Sequence, residues 1–243
     1  MTCRLAPVFP AVILSALAVA ACVRPLPVVS EQLTPAQLAD HWQEENHGGL
    51  QALKDSNGAR AEALLRKALS RTDRFPPQDP RRATTLNNLA SALEMQGKDR
   101  EAEDMYRQSL DAFESSVGVD HPAVETAAQN LVRVACAESD WAAAGLAYKR
   151  ILNIQESTLG LSNPEFGKTL TDLAGIYIKQ EKYSLAEPLY KRALAIDVKA
   201  LGRDHPQSLQ LLERYADLLR LMHRSGEADR LDALAKAVRA EKK

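Results

Sequence analysis

Four prolines recur at a constant spacing, and this period constrains the chain more than any other feature of its sequence. Pro80, Pro122, Pro164 and Pro206 are separated by 42 residues each time. A chain with many positions in phase is built from stacked repeats of one structural unit rather than from a single irregular core. The positions that keep the same period are Gly118, Gly160 and Gly202, Ala102, Ala144, Ala186 and Ala228, Tyr106, Tyr148 and Tyr190, and Leu89, Leu131 and Leu173.

The repeating unit has the pattern of two helices joined by a tight turn. Glycine is favoured just past a helix end, and proline is favoured in the first turn of a helix, so the Gly118–Pro122 segment ends one helix and starts the next. Within a unit, an apolar stripe with helical spacing precedes a break at 96–99, and a second stripe begins at Ala102. The first stripe consists of Leu86, Leu89, Ala90 and Leu93.

The unit resembles the tetratricopeptide repeat, specifically the 42-residue variety of the kinesin light chain. The resemblance rests on Leu-Asn-Asn-Leu-Ala at 86–90, Gln-Gly-Lys at 96–98, Arg-Glu-Ala-Glu at 100–103 and the Asp-His-Pro linkers. It implies an all-α, right-handed superhelical solenoid of about five helix-turn-helix repeats, which would occupy residues 36–243. The expected units are about 36–79, 80–121, 122–163, 164–205 and 206–243.

The two terminal units depart from the pattern. In the first, Ala61 lies 41 residues before its counterpart Ala102, and in the last Asp232 stands at the tyrosine position. Such drift is expected of terminal repeats, whose outer faces meet water rather than a neighbouring repeat.

The N-terminus has the pattern of an export signal, in which a charged start at Arg4 precedes an apolar stretch that ends in small residues. Val-Ala-Ala-Cys at 19–22 resembles the lipobox of bacterial lipoprotein precursors. The resemblance implies a signal peptide at 1–21, a lipid anchor such as palmitate on Cys22, and a flexible tether over 22–35. The alternatives are an ordinary signal peptide with a chance cysteine, or an uncleaved anchor.

This anchor would locate the protein in the bacterial cell envelope. Val23, rather than Asp, follows the cysteine. By the sorting rule of enterobacterial lipoproteins, this favours the periplasmic face of the outer membrane.

Composition and motifs indicate that the chain is not an enzyme and binds neither nucleic acid nor metal. The formal net charge is -1, whereas binding to a phosphate backbone requires a cationic surface. The sequence contains no HExxH motif, no paired Cys and His spacing suited to zinc, and no phosphate-binding glycine loop. We therefore expect no catalytic residue and no cofactor. His121 and His205 lie in the linkers, and Cys136 is expected to pack between helices.

The remaining candidate surface is the polar face of the first helix of each unit. In tetratricopeptide repeats this face lines a concave groove that binds extended peptides, and the alternative is a merely solvated face. Amide and cationic side chains there would suit an extended partner segment with an acidic group. The candidate groove residues are Asn87, Asn88, Ser91, Gln129, Asn130, Arg133, Lys168, Thr171, Asp172 and Lys179.

These expectations together suggest a membrane-anchored adaptor of the bacterial envelope that binds a protein or peptide partner in its groove. The alternative is a structural subunit of an envelope secretion or outer-membrane assembly complex.

Overall fold

The computed structural model of the protein describes residues 33–241, which form ten α-helices and no strands. The expected all-α repeat fold is confirmed. Cys22 and the rest of the expected signal and tether up to residue 32 lie outside the described residues. The helices are α1 (Pro35–Lys54), α2 (Gly58–Thr72), α3 (Arg81–Glu94), α4 (Asp99–Val117), α5 (Pro122–Ala137), α6 (Trp141–Thr158), α7 (Pro164–Lys179), α8 (Tyr183–Leu201), α9 (Pro206–Leu221) and α10 (Ser225–Glu241).

Each helix packs mainly on the helices that directly precede and follow it in the sequence, and α1 also contacts α3. This nearest-neighbour pattern is that of a solenoid, in which every unit buries its apolar face against the next. The odd-numbered helices are the first helices of the five pairs, and the even-numbered helices are the second.

The linkers between units confirm the pairing of glycine with proline. Helices α5, α7 and α9 begin at their prolines, and the preceding residue accepts a hydrogen bond from a backbone N–H in each case. His121 Nδ1 accepts from Ala123 N at 3.1 Å, and His205 Nδ1 accepts from Gln207 N at 3.3 Å. These histidines therefore cap helices. Pro80 differs, because it occupies the N-cap of α3 rather than its first turn.

The turn inside each unit depends on a left-handed residue, which is a glycine in the second unit alone. Gly97 has φ 71°, and the in-phase residues Ser139, Glu181 and His223 have φ 61°, 58° and 59°. Ser56 in the first unit has φ 56°. A side chain in this region costs about 1–2 kcal/mol, so four of the five turns are held in place by the packing of the helices they connect.

Close packing within the units rests on a column of small residues. Ala61, Ala102, Ala144, Ala186 and Ala228 are all completely buried. A methyl side chain allows neighbouring helices to approach closely, and larger residues then fill the space on either side. The residues that do so include Tyr106, Leu65, Leu89, Leu93, Phe166 and Leu218.

Carboxylates on two of the second helices connect neighbouring units. On α2, Glu62 accepts hydrogen bonds from Lys98 Nζ at 2.7 Å and Gln96 Nε2 at 2.9 Å, and these bonds lower its pKa to about 2. On α8, bonds from Lys191, Arg224 and Tyr215 likewise lower the pKa of Glu187 to about 2. Because both pKa values are depressed, these bonds stabilise the fold above the ordinary glutamate pKa. That stabilisation is lost as the pH falls towards 2.

The last helix ends the solenoid with charged residues. Asp232, at the position where earlier units carry tyrosine, is bonded by Arg220. Arg239 donates to Glu213 at 2.6 Å. The final unit thus replaces an apolar contact surface with ion pairs, which suits a surface that faces water.

We predict that Gly118→Ala destabilises the protein by about 1–3 kcal/mol through backbone strain alone. Gly118 has φ 88° and ψ 157°, a region open essentially to glycine, although an added Cβ would meet no atom within 4 Å. Gly175→Ala is the matched control, because this glycine lies inside α7 with equally open space. The control should be neutral or stabilising by up to about 1 kcal/mol. Urea denaturation of both variants measures this, and equal stabilities would contradict the strain argument.

Candidate partner-binding groove

All ten candidate groove residues lie on the first helices of the middle three units. Asn87, Asn88 and Ser91 are on α3, Gln129, Asn130 and Arg133 are on α5, and Lys168, Thr171, Asp172 and Lys179 are on α7. The first helices lie side by side, with a second helix behind each neighbouring pair, so the spaces between them form successive clefts along one face.

In the N-terminal half, asparagine side chains bridge adjacent first helices. Asn88 Nδ2 donates to Asn46 Oδ1 on α1 at 3.1 Å, and Asn130 Nδ2 on α5 donates to Asn87 Oδ1 on α3 at 2.9 Å. Each of these candidate amides therefore makes a hydrogen bond between units. Asn46 was not among the candidates, although it lies in phase with Asn88 and Asn130.

Arg133 and Ser91 belong to a polar cluster around the buried Tyr106. Ser91 Oγ lies 2.9 Å from the Tyr106 hydroxyl, which donates to Glu94 Oε2 at 3.2 Å. Arg133 is ion-paired with Glu94, and its guanidinium lies 5.9 Å from the centre of the Tyr106 ring. Burial raises the pKa of Tyr106. The positive charge of Arg133 is therefore already compensated within the groove.

The C-terminal half has open clefts where the N-terminal half has bridges. Between α5 and α7 lies a cleft of about 260 Å³, and between α7 and α9 lies one of about 570 Å³. We call these the α5–α7 cleft and the α7–α9 cleft, and both are lined by Lys168 and Asp172 of α7. At the repeat position that is asparagine at 46, 88 and 130, α7 has Asp172 and α9 has Arg214. These two side chains attract each other electrostatically but do not form a close hydrogen-bonded bridge.

The two clefts have polar side chains in their floors. Gln155 of α6 lines the α5–α7 cleft and is 5% exposed, and Asp197 of α8 lines the α7–α9 cleft and is 1% exposed. Gln155 Nε2 donates to Glu125 Oε1 at 3.0 Å, while Gln155 Oε1 is buried without a hydrogen-bond partner. Asp197 Oδ1 accepts from Gln207 Nε2 at 3.4 Å.

Sequence analysis missed Gln155 and Asp197 because it considered only first helices, but the sequence does contain a signal. Both residues are in phase with Phe113, which is buried in the apolar core of the second unit. Replacement of a core aromatic residue by Gln and then Asp at one repeat position marks a local change from packing to polar chemistry.

Burial dominates the electrostatics of the α7–α9 cleft. Burial raises the pKa of Asp172, and attraction from Lys168 and Arg214 offsets only part of this increase. Burial also raises the pKa of Asp197, although the hydrogen bond from Gln207 and attraction from His205 act to lower it. Lys168 Nζ lies 4.0 Å from Glu165 Oε2.

The other candidates in this half have minor contacts. Thr171 Oγ1 donates to the Gly167 carbonyl at 3.1 Å, and Gln129 Nε2 approaches Glu125 Oε1 at 3.5 Å. Lys179 is exposed at the end of α7.

Comparison with known proteins identifies the repeat. The tetratricopeptide-repeat family model matches residues 45–115 and 165–240, more than half of the chain. The chain belongs to the tetratricopeptide-repeat family, whose members generally mediate protein–protein interactions. A comparison with curated proteins found no match.

Solved structures with the same fold include proteins described as kinesin light chains. A Podosopora anserina protein described as a kinesin light chain with nearly identical TPR-like repeats is 20% identical, with TM-score 0.61 over 86% of this chain and 98% of that one. BtubC (BKLC) from P. vanneervenii is 20% identical, with TM-score 0.57 over 86% and 83%. MamA from Desulfovibrio magneticus RS-1 is 11% identical, with TM-score 0.53 over 83% and 97%. At these identities the likeness shows the fold alone.

Residues 33–241 also bear on two other kinds of site. No cluster of three metal-ligating side chains occurs there, and no helix in that part of the chain is both long and apolar enough to cross a membrane. Cys136 is a partly buried free thiol, and burial raises its pKa. The thiol packs beside Ala135, Ala143 and Trp141.

We predict that Asp172→Asn raises the free energy of unfolding at pH 7. The folded-state pKa of Asp172 is raised, so its ionisation opposes folding at neutral pH and ceases to do so as the pH falls through that pKa. The stability gap between variant and wild type should therefore narrow on acidification.

Asparagine occupies the same repeat position at 88 and 130, so the substitution fits the repeat. Asp229→Asn, which removes an exposed carboxylate on α10, is the control for net charge. Thermal and urea denaturation at pH 7 and below measure both variants. A loss of stability in Asp172→Asn at pH 7 would show that its ionised form makes a stabilising contact instead.

Proposed function

We propose that the protein is a membrane-anchored adaptor that binds an extended segment of a partner protein along the first-helix face of its solenoid. The observation that carries the proposal is the pair of adjoining clefts beside α7, which open between first helices, whereas α1, α3 and α5 are joined to one another by asparagine bonds. The larger cleft, at about 570 Å³, has the size of a typical ligand site.

The proposed anchor is a lipid on Cys22, and the proposed location is the periplasmic face of the bacterial outer membrane. Support comes from the lipobox-like Val-Ala-Ala-Cys at 19–22 and the proline-containing stretch before α1. Two or three acyl chains hold a protein stably on a membrane, whereas one chain gives marginal attachment.

The groove is tested by site-specific photocrosslinking of the full chain in cells. We expect a photoreactive residue at Thr171, which lines the α7–α9 cleft, to form a discrete adduct with a partner protein. The matched control is Leu146, an apolar side chain on α6 that is 64% exposed and does not line either cleft. Adducts at 146 and none at 171 would place the partner on another face.

A stable heteromeric complex in native-size analysis would favour an assembly subunit over an adaptor.

The anchor is tested by metabolic labelling with palmitate. Wild type should incorporate the label, and Cys22→Ser should abolish incorporation and release the protein from membranes. Cys136→Ser is the control, because it removes a partly buried thiol of the helical domain and should leave labelling unchanged. Continued labelling of the Cys22→Ser variant would refute the lipid attachment site.

A further inference from the structure

The clefts beside α7 depart from the N-terminal units at the bridging position, and polar side chains also occupy their floor position. At the bridging position, Asn46, Asn88 and Asn130 are followed by Asp172 and Arg214. At the floor position, Thr72 of the first unit and Phe113 of the second are followed by Gln155 and Asp197. Both changes fall in the same two clefts, so their chemistry belongs to one surface.

Carboxylates outnumber cations on this surface. Its carboxylates are Glu165, Asp172 and Asp197, together with Glu125, which holds the Gln155 amide. Its cations are Lys168 and Arg214, and Lys168 lies within ion-pairing distance of Glu165. His205 also lines the larger cleft, where its Nδ1 is occupied in capping α9.

Two of the acceptors are almost completely buried, and one of them is unsatisfied. Gln155 Oε1 has no partner, and the hydrogen bond to Asp197 from Gln207 is long at 3.4 Å. The orientation of the Gln155 amide follows from its neighbour, because the amide nitrogen must face the Glu125 carboxylate. Buried acceptors without donors are costly, and a ligand that brings donors into the clefts recovers that free energy.

We propose that the clefts beside α7 bind arginine or lysine side chains of the partner segment, with Asp172 as the carboxylate shared by both clefts. This inference rests on the proposed function and adds the chemistry of the ligand. A guanidinium carries five N–H donors and no acceptor, which complements an acceptor-rich cleft. Its aliphatic stem fits the apolar lining from Val132, Ile151 and Leu211.

The assignment reverses the charge that the sequence suggested for the partner. Arg133, Lys168 and Lys179 were expected to attract an acidic group. In the structure Arg133 is paired with Glu94, and Lys168 is close to Glu165. Across the lining of the two clefts, three carboxylates (Glu165, Asp172 and Asp197) stand against two cations (Lys168 and Arg214).

The test is binding of the detergent-purified full chain to an array of capped heptapeptides of random sequence. We expect the bound peptides to be enriched in arginine or lysine at one or more positions. For the tightest arginine peptide, replacement of that arginine by citrulline, which keeps the shape and loses the charge, should weaken binding about tenfold or more.

Two variants connect the preference to the clefts. Asp172→Asn and Gln155→Met should each weaken the arginine peptide about tenfold, and Asp172→Asn should leave the citrulline peptide unaffected. Asp229→Asn, with the same loss of charge away from the clefts, should bind like wild type. Thermal denaturation verifies that each variant is folded.

The outcomes separate this inference from the proposed function. Bound peptides with no basic preference, or with an acidic one, would overturn the basic-side-chain assignment and leave the groove intact. A basic preference unchanged in both Asp172→Asn and Gln155→Met would overturn the assignment to these clefts. Absence of any bound peptide would overturn the inference and count against peptide binding by the groove itself.

Discussion

Close approach of helices at the buried alanine column is the interaction on which the rest of the structure depends. Ala102, Ala144 and Ala186 have no exposed surface, and each allows a second helix to pack tightly within its unit. A pair of helices cannot bury its remaining apolar face alone, so every unit requires a neighbour. This packing places each second helix against the first helices, which carry the groove residues.

The features that the sequence predicted well are those with local causes. Glycine past a helix end and proline at a helix start have conformational reasons contained within a few residues, and the linkers at Gly118 and Gly202 bear this out. The burial of the in-phase alanines and of Tyr106 likewise follows from the period alone. All ten groove candidates lie on first helices for the same reason.

The bonds of those candidates depend on distances between units, which a single sequence does not contain. Asn88 and Asn130 have the same side chain in the same repeat position, yet they bond to Asn46 and Asn87 respectively. Left-handed turns at Ser139 and Glu181 also lack a local signal, because packing of the flanking helices imposes them. Gln155 and Asp197 could have been identified from the sequence, because alignment of the second helices places both of them at the position of Phe113.

The contrast between the two halves of the solenoid is itself an argument about function. The N-terminal half shows that this repeat can close the space between first helices with asparagine bonds at little cost. The clefts beside α7 instead retain two carboxylates whose pKa values burial raises, and a buried amide oxygen without a donor. Each of these features reduces stability, and natural proteins accept such costs where a site requires them. A partner that brings hydrogen-bond donors to these buried oxygens would gain the free energy that folding leaves unrealised in the clefts beside α7.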